Sequence, residues 1–140
     1  MSLRSQKMRC GLALFAGCIF LTGVAPVLSA EELTESDKFF LAGYEQIRAA
    51  LAADDLVAAN EAARRLTDSG IEVPRSETLE RARDGFVKVS AIAIKVASGQ
   101  RGYYIMRCPK LKREWVQTSN QVSNPYGGKS MVSCGEIKRR

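Results

Sequence analysis

YYIMRCPKLKREWVQTSNQVSNPYGGKSMVSCGE, residues Tyr103–Glu136, holds two of the four cysteines, the single tryptophan and an Asn-Pro-Tyr-Gly-Gly turn signal. Tyr103, Tyr104, Ile105 and Met106 are strand formers, halted at Cys108-Pro109. Trp115, Val116 and Gln117 make a second short extended candidate, and Met131, Val132 and Ser133 a third. Between them, Asn124-Pro125-Tyr126-Gly127-Gly128 is a turn: proline fixes φ, its predecessor is pushed to extended backbone, and the glycines accept positive φ. Strands this short need helices on one side and a covalent or metal clip on the other.

Upstream, residues 32–98 supply those helices. Phe40, Tyr44, Ile47 and Leu51 form one face of an amphipathic helix, with Thr34 or Ser36 as its cap. Asp54-Asp55 breaks the pattern and opens a second helix bearing Leu56, Ala59, Ala63 and Leu66. Gly70 ends it and Pro74 prevents continuation. Ser76 is the expected cap of a third helix, with Leu79, Ala82, Phe86, Val89, Ala93 and Val96 inward and Ile92 widening the stripe. Gly85 within it suggests a close contact, and Gly99 is the stop. The expected fold is mainly α: a three-helix up-down bundle with an irregular, turn-rich C-terminal end clipped by a cysteine pair.

The chain has 140 residues, which allows one small domain. Residues 1–30 read as a signal peptide. Arg4, Lys7 and Arg9 precede an uncharged apolar run, and Ser29-Ala30 offers a cleavage site before acidic Glu31-Glu32. A retained membrane anchor is the alternative; lipidation at Cys18 fits poorly, because the apolar run continues past it. Residues 31–140 are then one exported domain, periplasmic or secreted. Its charge is polarised: residues 31–98 carry 9 basic and 13 acidic side chains, residues 99–140 carry 9 and 2. A basic end on an exported protein meets envelope phosphates, cell-wall polymers or an acidic protein partner. Nucleic acid is set aside, since no binding module is present.

Without the leader, Cys108 and Cys134 remain as an even pair in an oxidising compartment. A disulfide between them closes a loop of about 27 residues, adding on the order of 3 kcal/mol in the chain-entropy model. Thiolate metal ligation and two free thiols are the other readings of the pair. Histidine is absent, which removes the usual general base and imidazole ligand. With no nucleophile–base pairing and no paired carboxylates, the expected class is non-catalytic.

The order Tyr-rich strand, Cys-Pro, Trp-x-Gln, Asn-Pro-Tyr-x-Gly, Met and Cys-Gly-Glu resembles a bacterial domain family of unknown function. That family occurs as small secreted proteins and attached to the periplasmic adaptors of copper and silver efflux pumps. The likeness extends to Ala53-Asp54-Asp55, to alanine-rich Ala58–Leu66 and to Glu80–Phe86, so it covers about residues 39–137, nearly the whole exported chain. It implies a module handling Cu(I) or another soft metal, with Cys108, Met131 and Cys134 as ligands and an efflux adaptor or other envelope protein as partner. Where the family has His-Cys-Pro-Met, this chain has Arg107-Cys108-Pro109-Lys110, fixed positive charges in place of two ligands. The alternative function is an interaction domain with a Cys108–Cys134 disulfide and a docking surface of Arg107, Lys110, Trp115 and Tyr126. There, Trp115 and Tyr126 cover the clip, or stack with Arg107 or Lys110.

Overall fold

The computed structural model describes residues 32–139. The signal-peptide and Cys18 readings lie outside them. Among the described residues, no helix is long and apolar enough to cross a membrane. The protein is mainly α, with three helices followed by a three-stranded antiparallel sheet and a short 3-10 turn.

Helix α1, Glu35–Ala52, starts at a capping box: the Thr34 hydroxyl accepts from Asp37 N–H at 3.1 Å, and Asp37 accepts from Thr34 N–H at 3.0 Å. The Thr34 hydroxyl also donates to the Asp37 carboxylate, and that bond, followed by the one from Thr34 N–H, holds the Asp37 carboxyl below its ordinary range. Its inward face, Phe40, Leu41, Tyr44, Ile47 and Leu51, is buried. The turn to α2, Leu56–Asp68, passes through Asp54 in the left-handed region, φ 57°, and Asp55 caps the new helix. Alanines 59, 62 and 63 and Leu66 are its buried side, so the two helices lie close. They approach closely at Gly43, where a Cβ would come within 2.5 Å of Leu66.

Helix α3, Leu79–Ala97, differs from expectation in three ways. Its cap is Thr78, whose hydroxyl accepts from Arg81 N–H, while Ser76 lies before the helix with its N–H and carbonyl bonded to the Asn60 side chain. Ile92 stays half exposed while Ser90 and Ala97 turn inward. Gly85 makes no close contact; a Cβ there would meet open space.

The sheet order is β2-β1-β3, with β1 at Tyr104–Cys108, β2 at Arg113–Gln117 and β3 at Glu136–Arg139. The expected third strand, Met131–Ser133, is not one. Residues Gly128–Met131 form the 3-10 turn and Val132 keeps helical backbone, so the chain turns extended only beyond Gly135. There Glu136 pairs with Arg107 on the free edge of β1.

Because side chains alternate across a sheet, β1 and β2 serve two cores. Ile105 and Val116, paired in register, face the helices. Met106, Cys108 and Trp115 face the other way and form a second core, fully buried under Leu111, Val122, Tyr126, Met131 and Cys134. An aromatic series joins the two: Tyr44 stacks on Phe86 at 4.9 Å, Phe86 meets Tyr126 at 5.8 Å, and Tyr126 meets the edge of Trp115 at 6.3 Å.

Candidate functional site around Cys108 and Cys134

Every part of the second core depends on how residues 118–135 are tied down. Gln117, buried at the end of β2, does the first part. Its Oε1 accepts from Trp115 Nε1 at 2.9 Å and from Ser123 N–H at 3.2 Å, while its Nε2 donates to the carbonyls of Ser119 and Gln121. Asn124, also fully buried, does the second. Its Oδ1 accepts from the N–H groups of Tyr126 and Gly127, shaping the Pro-Tyr-Gly turn, and its Nδ2 donates to the Cys134 carbonyl at 2.9 Å. Arg48 Nη1 holds Ser123 from α1, at 2.7 Å to its carbonyl.

A third tie reaches from the helices. Arg83 on α3 pairs with Asp54 at the α1–α2 turn, and donates to the Pro125 carbonyl at 2.9 Å. Asp54 in turn accepts from Lys129 N–H at 3.1 Å, and this bond, with the Arg83 pair, keeps its carboxyl below the usual range. Gly128, φ 55°, passes so close that a Cβ would run into both Asp54 and Arg83. The Ala-Asp-Asp and Glu-x-Ala-Arg segments, 29 positions apart at Asp54 and Arg83, thus close on the Asn-Pro-Tyr-Gly-Gly turn.

The outer edge of β2 is closed from inside as well. Val116 N–H donates to the Tyr44 hydroxyl at 3.1 Å, and the Tyr126 hydroxyl faces the Glu114 carbonyl at 3.4 Å. Both hydroxyls meet Ser90 Oγ at 2.9 Å. Burial pushes both phenols up, Tyr126 to about 12, so both are neutral at physiological pH. A sheet edge that would otherwise offer unpaired backbone groups is satisfied this way.

Against this frame sit the two sulfurs. Cys108 ends β1 and is fully buried; Cys134 follows the 3-10 turn and is half-buried. Gly135 lets that turn lie on Trp115, since a Cβ there would come within 2.8 Å of the indole. The sulfurs are 2.6 Å apart and unbonded. Burial raises the Cys108 thiol, but hydrogen bonds from Cys134, from the N–H groups of Leu111 and Lys110 and from the Asn124 side chain outweigh it and bring the thiol below its ordinary range. Cys134 moves the other way, raised first by its bond to Cys108 and then by burial.

The expected residues are therefore brought together in part. Cys108, Cys134 and Met131 share the second core, and Met106 lies beneath them. The closed pair does not fit a metal ion: thiolates bound at about 2.3 Å in tetrahedral geometry lie about 3.8 Å from each other. Among the described residues, no group of three or more His, Cys, Asp or Glu is gathered for a metal. Trp115 covers the pair as expected but is fully buried, which removes it from the docking surface. Tyr126 is half-buried and carries Arg113 over its ring at 6.0 Å, rather than Arg107 or Lys110, which are exposed. Sequence reasoning missed Asn124, Gln117, Asp54 and Arg83 as ties. The Asn-Pro step was the available signal, because asparagine commonly caps its own turn. Comparison with protein-family models, with curated proteins and with solved structures finds no match for this chain.

Proposed function

We propose that this chain is an exported, non-catalytic binding domain. In it three helices, running up, down and up, carry a C-terminal cap closed by a Cys108–Cys134 disulfide. The observation behind this reading is the 2.6 Å separation of the sulfurs, which oxidation need shorten by only about 0.6 Å to reach a bond. The short link at Ala53–Asp55 favours antiparallel neighbours for the first two helices. The cap presents exposed Arg107, Lys110, Lys112 and Lys129, a basic surface suited to an acidic envelope protein.

Protein isolated without reductant and denatured in a thiol-labelling reagent tests the bridge. Neither Cys108 nor Cys134 is expected to label until a reductant is added; labelling of both overturns the reading. The copper reading implied by the family resemblance has one observation in its favour, the packing of Met106 and Met131 around the same pair. It requires the sulfurs to part by about 1 Å to admit an ion. Uptake of one Cu(I) by the reduced protein, lost in Cys134→Ser, would favour it; no uptake removes it.

A further inference from the structure

We propose that the Cys108–Cys134 bridge is a site of thiol–disulfide exchange with small anionic thiols, opened in one direction, with Cys134 attacked and Cys108 released. This rests on the disulfide reading above and goes beyond it, since a purely structural clip needs neither an accessible sulfur nor a prepared leaving group.

Access separates the two sulfurs. Exchange proceeds by attack of a thiolate in line with the bond it breaks. Cys108 has no exposed surface, enclosed with Met106 and Trp115. Cys134 is half-buried, on the short stretch between the 3-10 turn and β3, so it is the sulfur an incoming thiolate reaches.

The leaving side is prepared at the other sulfur. In the step R–S⁻ attacks Cys134 Sγ, the new R–S–Sγ bond forms, and the Cys134–Cys108 bond breaks with its electron pair going to Cys108 Sγ. No electrons are supplied from elsewhere, and re-attack by Cys108 expels the thiolate and restores the bridge. The released thiolate stays where the Leu111 and Lys110 N–H groups and the Asn124 side chain donate to it, which holds the Cys108 thiol below its ordinary range. A leaving thiol of lower pKa departs faster. Cys134, whose thiol is shifted upward, lacks that advantage.

Lys110 supplies the third element. Its charge acts on Cys134, and it is exposed beside Arg107. Its positive charge would repel an incoming metal cation, but it attracts an anionic thiol.

Oxidised protein mixed briefly with excess glutathione, quenched in acid, alkylated and mapped by peptide tests this. Glutathione is expected on Cys134 in about tenfold excess over Cys108, with the alkylating group on Cys108. Cys108→Ser, given glutathione disulfide instead, is expected to keep one stable glutathione on Cys134, glutathione thiolate leaving, and Lys110→Gln in the first assay to react several-fold more slowly, less so at high salt. Glutathione on Cys108, or shared equally, overturns the direction. An intact bridge that never takes up glutathione overturns exchange while leaving the disulfide standing. Two alkylatable thiols before glutathione is added overturn the disulfide and this proposal together.

Discussion

The helical half and the C-terminal half of this protein solve the same packing problem by different means. In residues 35–97 the buried surface is aliphatic and aromatic, and alanines let the helix axes approach. In residues 104–139 the apolar cluster proper is three side chains, and buried amides and hydroxyls secure the rest: Gln117, Asn124, Tyr44 and Tyr126 bonded to backbone. The difference teaches that a cap too small for its own core is held by specific ties. Such ties fail one at a time and sharply, because a buried polar group left without its partner costs about 1–3 kcal/mol.

The largest expected break is Trp115→Ala. It removes the centre of the second core and is expected to cost about 3–5 kcal/mol, read as a lower denaturant midpoint. A cost equal to that of an exposed substitution would mean the second core carries no weight. Gly128→Ala comes next. Its positive φ and its clash with Asp54 and Arg83 predict a loss of about 1–3 kcal/mol. Tyr44→Phe keeps the ring stack on Phe86 but leaves Val116 N–H without a partner, at a cost of about 1–3 kcal/mol in chemical denaturation. The smallest change has the opposite sign: Gly85→Ala, in the helical half and facing open space, is expected to stabilise by about 0.5–1 kcal/mol. A loss at Gly85 equal to that at Gly128 would erase the contrast between the halves.

The helices were legible because their signals are local: the Phe40–Tyr44–Ile47–Leu51 spacing, Asp54-Asp55 and Gly70 each act within a few residues. The cap at Thr78 was not, since the backbone at Ser76 is held by the side chain of Asn60 on the preceding helix, a tie no local pattern announces. Gly85 and Gly43 look alike in sequence, and only the approach of Leu66 tells which one needs to be glycine. In the C-terminal half β1 and β2 followed their β-formers, but β3, Glu-Ile-Lys-Arg, is exposed throughout and carries charges that sheets disfavour. Its pairing exists because the Cys134–Gly135 step brings it alongside β1. The convergence of both cysteines with Met131 was anticipated; the ties through Asp54, Arg83 and Asn124 join residues far apart in the chain, and no local pattern announces them.

Amide hydrogen exchange on oxidised and reduced protein tests the division most directly. With the proposed Cys108–Cys134 bridge reduced, protection is expected to fall across β1, β3 and the buried amides near Asn124, while α1, α2 and α3 keep theirs. Unchanged protection of the cap, or equal loss in the helices, would contradict a cap closed at its two sulfurs on an independently stable helical support.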